Sequence, residues 1–345
     1  MDTVVLILAG GVGNRLWPFS SKEKPKQFLS LETGGPSFFQ QTYHRALKIA
    51  DDSHIFVLTR REYRNLVLLQ LPHISEDNVF LEYDAKNTAP AIVTAALKIQ
   101  NRFENVLTVV LTSDSYISDD EVFCRDVQNA IKAADKTDKL VTLGITPTRP
   151  DTNYGYIKCF EEKFPDVYEV NRFTEKPSKI KAVEFLGDKA YYWNIGLLIS
   201  KNSILVEQFR MHLPEVVKCA EKVCLSENIR EEECHYKSMP AISVDYALLE
   251  KSKDVLMVKG HFGWDDIGTW AALERICTAD KDGNVTVGNC TTKNSRNCTV
   301  VSEHGSVITV GTQDLLIVKS RDNVIVSSKD SIHEISGICA LYDKK

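Results

Sequence analysis

From Val4 to about Gly144 the chain alternates two periodicities, and few folds accommodate both. Val4 to Leu8, Ile55 to Leu58, Val106 to Leu111 and Leu140 to Leu143 are short, rich in β-branched residues and bounded by turn-formers, as buried strands are. Between them Phe39, Tyr43, Ala46 and Leu47 fall on one helical face. So do Ile92, Ala95, Ala96, Ile99 and Phe103, and then Phe123, Val127, Ala130 and Ile131. Strand, helix, strand, helix predicts a parallel sheet covered by helices on both faces. Ligands of such sheets bind at the carboxyl ends of the strands, where Gly10 follows Leu8 and Asp114 follows Leu111.

The stretch from about 145 to 275 is less regular. It shows strands near Tyr154 to Ile157, Val167 to Arg172 and Leu197 to Ser200, with helical patterns near 202–225 and 244–251, and reads as an elaboration of the same domain. After Asp282 short apolar runs recur between turns: Val307 to Val310, Leu315 to Val318 and Val324 to Val326. They lie too close together for intervening helices and predict a small all-β domain. The expected division is 1–280 and 283–345.

A chain of 345 residues with 43% hydrophobic content can bury a full core. A net charge of -5 argues against a protein that coats nucleic acid, so anion binding must come from a local concentration of positive charge. Arg15, Lys22, Lys24 and Lys26 form such a concentration, within which Lys22 and Lys24 read as solvated charges. The nine cysteines are odd in number and none stands in a CxxC pair, so zinc ribbons and redox motifs find no support and reduced thiols are expected. The apolar run Val4 to Ala9 lacks a basic leader and is too short for a signal peptide or a membrane span, so a cytoplasmic protein without membrane or nucleic-acid partners is expected. The N-x-T triplets at Asn284, Asn289 and Asn297 then read as turn asparagines.

The first strand enters Gly10-Gly11-Val12-Gly13. A dinucleotide fingerprint would need a small residue at position 16, which is Leu16, and a Walker loop would need Gly-Lys-Ser or Gly-Lys-Thr where Gly13 precedes Asn14-Arg15. What remains is a glycine turn that brings backbone N–H groups close to a phosphate or base, followed by a fixed cation.

Ala9-Gly10-Gly11-Val12-Gly13-Asn14-Arg15-Leu16-Trp17-Pro18, followed by Pro25-Lys26-Gln27-Phe28-Leu29, resembles the signature of the sugar-1-phosphate nucleotidyltransferases, and within them the mannose-1-phosphate guanylyltransferases or GDP-mannose pyrophosphorylases. The resemblance continues in order through Asn87-Thr88-Ala89-Pro90-Ala91, Asp114, Pro147-Thr148-Arg149-Pro150, Tyr154-Gly155-Tyr156 and Phe173-Thr174-Glu175-Lys176-Pro177. It extends to Trp193-Asn194-Ile195-Gly196, Ser243-Val244-Asp245-Tyr246-Ala247 and Trp264-Asp265-Asp266-Ile267-Gly268-Thr269-Trp270. It implies an α/β fold: a Rossmann-like mixed, mainly parallel sheet flanked by helices, followed by a short left-handed β-helix. The chain is expected to lack the fused phosphomannose isomerase domain of some relatives.

The activity implied is attack by mannose 1-phosphate on the α-phosphorus of GTP, giving GDP-mannose and pyrophosphate with Mg²⁺ as cofactor. The attacking phosphate has a second pKa of about 6 and is already anionic at neutral pH, so no general base is needed. The obstacle is repulsion: two charges about 4 Å apart oppose one another by roughly 4 kcal/mol at an effective dielectric near 20. Catalysis of this kind is positioning plus cations.

By resemblance, Arg15 and Lys26 would hold the triphosphate, and Asp114 and Asp266 would hold Mg²⁺; these four are the implied catalytic residues. Leu8, Ala9, Gly10, Gly11, Gly13, Asn14, Ser113, Asn87 and Thr88 would complete the nucleotide site, with Asn87 and Thr88 on base and ribose and Glu82 accepting from guanine. Tyr154, Gly155, Glu175, Lys176, Asn194 and Gly196 would bind the sugar phosphate, whereas Trp193 and Trp270 read as packing residues. Asn14, the Ser113-Asp114-Ser115 stretch and Asp265 depart from the usual pattern; Asp265 places a second carboxylate beside Asp266, with an expected effect on metal affinity. The same transfer with a heptose or glucose phosphate or another NTP, and a catalytically idle regulatory subunit, remain open alternatives. A homodimer paired through the terminal strands is a further expectation.

Overall fold

The computed structural model describes residues 1–345 except Asn14, Arg15, Thr33, Ser336 and 339–345. Contacts divide the chain into two compact units that are not consecutive in sequence. The first comprises Met1–Gly10, His44–Thr112 and Asp119–Phe262; the second comprises Gly11–Tyr43, Ser113–Ser118 and Gly263–Lys345.

The first unit is built on a ten-stranded sheet. Strands β1 (Asp2–Leu8), β2 (Ile55–Arg60), β3 (Val79–Glu82) and β4 (Val106–Thr112) are parallel neighbours in the order β3-β2-β1-β4, with Leu8 opposite Thr112. Val4 to Ile7 are fully buried, as expected of a strand covered on both faces. Helix α1 (Phe38–Ala46) and helix α2 (Arg64–Gln70) precede α3 (Thr88–Gln100), which is buried almost all round and packs on later helices. Leu47 lies beyond α1 and is exposed, and Phe103 lies beyond α3.

The short strand β5 (Tyr116–Ile117) belongs to the second unit, and the chain then returns to the first as α4 (Asp120–Thr137), capped by the Asp119 carboxylate. Strands β6 (Leu140–Ile145), β7 (Gly155–Phe164), β8 (Val167–Thr174), β9 (Tyr191–Asn194), β10 (Leu198–Lys201) and β11 (Val255–Lys259) complete the sheet, with α5 (Lys179–Gly187) between β8 and β9.

The sheet is mixed, as expected, but the expectation that it is mainly parallel is corrected. Apart from the parallel β6–β11 pair, every pairing made by β7 to β11 is antiparallel, so antiparallel pairs outnumber parallel ones. The reason is connection length. Only Pro165 and Asp166 join β7 to β8, with Asp166 at φ 60°, and so tight a reversal lays the strands head to tail. The helical pattern over 202–225 is two helices, α6 (Asn202–His212) and α7 (Pro214–Leu225), broken at Pro214; α8 (Ile229–Lys237) follows. The pattern over 244–251 is a single π-helical turn, Asp245–Leu249.

In the second unit β12 (Trp264–Asp265) pairs antiparallel with β5. After α9 (Leu273–Ile276) come β13 (Val285–Val287), β14 (Cys290–Lys293), β15 (Thr299–Ser302), β16 (Val307–Val310), β17 (Leu315–Ser320) and β18 (Asn323–Ser328). β13, β15 and β17 are parallel neighbours, β14 is parallel to β16, and β18 returns antiparallel to β17. The boundary expected near 280–283 falls inside this unit. Leu16, Phe19, Leu29 and Phe38 share one core with Val285, Val301, Leu316 and Val318, so an amino-terminal segment is buried by the terminal strands.

Among the described residues no helix is long and apolar enough to cross a membrane. The eight described cysteines carry free thiols.

Candidate active site

The candidate residues fall in both units. In the second, Lys26 opens a 3₁₀ turn, Lys26–Phe28, behind Pro25, and its side chain is only 5% accessible. The Nζ atom donates to Asp114 Oδ2 at 3.2 Å and to the Asp266 carbonyl, and lies 3.8 Å from Asp266 Oδ1. An ammonium is thus gripped between two carboxylates that lie far from it and from each other in sequence. The β5–β12 pairing explains the convergence: Asp265 sits opposite Tyr116, which brings the segment carrying Asp266 beside the segment carrying Asp114.

The glycine loop is shaped to the same lysine. Gly13 has φ 45°, and a Cβ there would stand 2.7 Å from Lys26 Cβ, so only glycine lets the loop lie so close. Gln27 Nε2 donates to the Gly11 carbonyl at 2.9 Å. Ser113 is buried beside the exposed side of Asp114. Arg15, expected on the triphosphate, and Asn14, expected in the nucleotide site, lie outside the described residues.

Two sequence expectations are corrected here. Lys24 is not simply solvated, because its Nζ pairs with Glu303 at 3.2 Å. Asp265 does not stand as a second free carboxylate beside Asp266; it forms a two-pronged pair with Arg275 at 2.6 and 2.9 Å and accepts from Ile267 N–H at 2.8 Å. Thr88, in the first unit, has its hydroxyl oxygen engaged by the Val244 N–H at 2.8 Å, which ties α3 to the π-turn segment.

In the first unit β1 ends at Leu8, and Ala9 is held by its N–H on the Leu58 carbonyl and by the Thr59 hydroxyl on its own carbonyl. Gly10 follows, and a Cβ there would run into the Glu82 carboxylate. Tyr236, fully buried, donates to Glu82 Oε2 at 3.1 Å. Burial pushes the Glu82 carboxyl up to about 7 despite that hydrogen bond and the nearby Arg60. Asn87, at φ 67°, caps α3 by accepting the Thr88 N–H.

The residues expected on the sugar phosphate lie together. Glu175 covers Gly155, where a Cβ would meet its Oε2 at 2.6 Å, and its Oε1 accepts from Lys176 Nζ at 2.8 Å. Burial opposes the charge of Lys176, but Glu175 outweighs it and holds the ammonium above its ordinary range. Asn194 accepts from Thr142 and from the Gly196 N–H, and donates to Asp245 Oδ1 at 3.0 Å. Gly196 takes φ 77°. The Tyr154 hydroxyl accepts from Arg149 Nη2 at 2.7 Å, and the same guanidinium lies 4.9 Å over the Trp193 ring. Trp193 and Trp270 are both buried packing residues, Trp270 edge-on to Phe19.

The family pattern of the nucleotidyl transferases matches residues 4–283, a span that takes in every one of these candidates. The chain belongs to the nucleotidyl transferase family. A solved structure described as the mannose-1-phosphate geranyltransferase of Thermus thermophilus superposes on 99% of this nucleotidyl transferase and 100% of its own chain, with a TM-score of 0.89 at 32% identity. Curated mannose-1-phosphate guanylyltransferases of Salmonella montevideo and Escherichia coli are 36% and 34% identical over 88% of the chain. The chain spans 66% and 68% of their lengths, about two thirds of the curated relatives it matches.

Two residues of this nucleotidyl transferase stand in motifs that assign them no role in the sequence. Arg149 bridges Asp151, at 3.0 Å, to Tyr154. Asp245 opens the π turn, and burial together with the charge of Glu175 pushes its carboxyl up to about 6. Their motifs were the available signal; their partners become visible only in the folded chain.

Proposed function

We propose that this nucleotidyl transferase moves GMP from GTP to mannose 1-phosphate. An oxygen of the sugar phosphate bonds to the α-phosphorus, the bond to the bridging oxygen breaks, and pyrophosphate leaves. The similarity to curated mannose-1-phosphate guanylyltransferases supports the choice of substrates. The single observation that carries the reading is the Lys26 ammonium held between Asp114 and Asp266.

The attacking oxygen is anionic at neutral pH, so the protein's task is to offset charge and align groups. Lys26 and the backbone of Gly11 and Gly13 serve the triphosphate. Arg15 is assigned there by resemblance alone. Glu82, beside Gly10, would accept the two N–H groups of the guanine edge, which uracil and thymine do not offer in that pattern. Lys176 would pair with the sugar phosphate, while Glu175 and Asn194 orient hydroxyls.

Asp114 and Asp266 fit Mg²⁺, because both are hard oxygen donors within reach of one ammonium, and two carboxylates with substrate oxygens make the usual set for this ion. When bound, Mg²⁺ supplies divalent charge to the phosphate oxygens. Lys26 keeps the two carboxylates together at other times, offsetting their repulsion.

The proposal includes the terminal strands, which we read as a short left-handed β-helix. The parallel pairs Val285 with Thr299, Thr299 with Leu316, Cys290 with Val307 and Arg296 with Gln313 support that reading, since each strand lies beside its counterpart one circuit later.

The deciding experiment measures pyrophosphate release with Mg²⁺ for each NTP against mannose, glucose and heptose 1-phosphates. GTP with mannose 1-phosphate is expected to be fastest. Release only with another pair moves the assignment to those substrates, and no release with any pair favours the idle subunit.

A further inference from the structure

Outside the assigned residues, the first unit holds a cavity of about 660 Å³ whose walls are β8 from Glu169 to Thr174 and the segment from Leu249 to Lys253. The ladder between β8 and β11 covers only Val167 to Glu169, and the cavity lies where the two segments part. Small-molecule sites are roughly 300–1,000 Å³, so the volume suits a metabolite.

The charges are unevenly satisfied. The acidic members of the lining are engaged: Glu169 pairs with Lys139 at 3.5 Å and Lys163 at 3.3 Å, and Glu250 Oε1 accepts the Glu175 N–H at 3.1 Å. Arg172, Lys251 and Lys253 are exposed, and none has a carboxylate partner among the described residues. Thr174 Oγ1 is shielded from solvent and lacks a hydrogen-bond partner among those residues. Phe160, at the same cavity, leaves 67% of its surface exposed. Three like charges around one cavity favour a polyanion, and a bare aromatic ring favours a flat apolar face laid against it.

We propose that this cavity binds a nucleoside phosphate, with its phosphates on Arg172, Lys251 and Lys253 and its base against Phe160. It is a second nucleotide site, and it stands whether or not the reaction assigned above is correct. β8 runs directly into Glu175 and Lys176, and Glu250 on the opposite wall holds the Glu175 N–H, so occupancy bears on the residues assigned to the sugar phosphate.

The test is calorimetric titration of the full chain with GDP at physiological ionic strength, without sugar phosphate. The unaltered protein is expected to take up two GDP per chain and Arg172→Glu/Lys253→Glu one. Phe160→Ala should weaken the second event about tenfold, in keeping with the loss of one base–aromatic stack, and leave pyrophosphate binding there unchanged. All three positions are exposed, and an unchanged unfolding midpoint verifies that the variants fold. A GDP count that survives the charge reversal, or a GDP affinity indifferent to Phe160→Ala, overturns the proposal. One GDP in the unaltered protein and none in the reversed variant would sustain this site while sinking the nucleotide site of the proposed reaction.

Discussion

Two charged clusters in this molecule solve opposite problems. Around Lys26 a buried cation is compensated twice, by Asp114 and by Asp266, and the carboxylates keep 42% and 27% of their side-chain surface open. Around Asp245 a half-buried carboxyl sits near a second carboxylate, Glu175, while the cation that serves them, Lys176, is 55% exposed. The second cluster suppresses one of its charges, because an amide from Asn194 and a solvated ammonium do not repay the loss of water around Asp245. The lesson concerns vulnerability. The Lys26 cluster breaks when a partner is removed, and the Asp245 cluster responds to pH.

The largest effect expected is on Lys26. Lys26→Ala leaves two carboxylates facing each other and removes a preorganised donor, so turnover should fall by about 10²-fold or more in the pyrophosphate assay. Wild-type turnover in that variant would show the cluster to be structural only. Next is Gly13→Ala, where both the φ of 45° and the 2.7 Å approach to Lys26 Cβ oppose a side chain; denaturant unfolding should register a loss of about 2 kcal/mol. Asp266→Ala should raise the Mg²⁺ concentration needed for half-maximal rate on the order of tenfold, read from a metal titration. An unaltered titration would remove Asp266 from the metal site.

The smallest effect belongs to Asp245 and sharpens the contrast. Its carboxyl titrates at about 6 in the folded chain against an ordinary 3.8, so the folded state binds the extra proton. Stability contributed by this group is therefore lost as pH rises from about 4 to 6 and stays low above that window. Asp245→Asn keeps an acceptor for Asn194 without the charge. It should be more stable than the unaltered protein at pH 8, on the order of 1 kcal/mol after allowing for partial exposure, and the difference should vanish near pH 4. Unfolding curves at the two pH values decide it, and an equal difference at both would mean that the carboxyl is not suppressed.

Much of the first unit was legible from local pattern. β1, β2 and β4, and the helices α3 and α4, announce themselves because each is apolar with a clear period and is bounded by turn-formers or a capping residue such as Asn87 or Asp119. β3, β9 and β11 were not legible, being three short strands whose periods are too brief to separate from loop. The antiparallel turn of the sheet escaped as well, since strand direction is set by connections and long-range pairing that no window of sequence contains. Lys26, Asp114, Asp266, Glu175 and Asn194 were singled out as candidates through their motifs, whereas Asp265 was misread because its partner Arg275 is identified only by geometry.

By itself the sequence determined which segments are apolar with which period, where glycine is tolerated, and which ionisable groups stand in family motifs; these are properties of neighbours along the chain. The tertiary structure decided which charges face one another. It set Lys26 between two carboxylates, spent Asp265 on Arg275, and placed the Leu16 segment in one core with the terminal strands. The reason is physical: burial and Coulomb energy depend on distance through space, and that distance exists only once remote strands have paired.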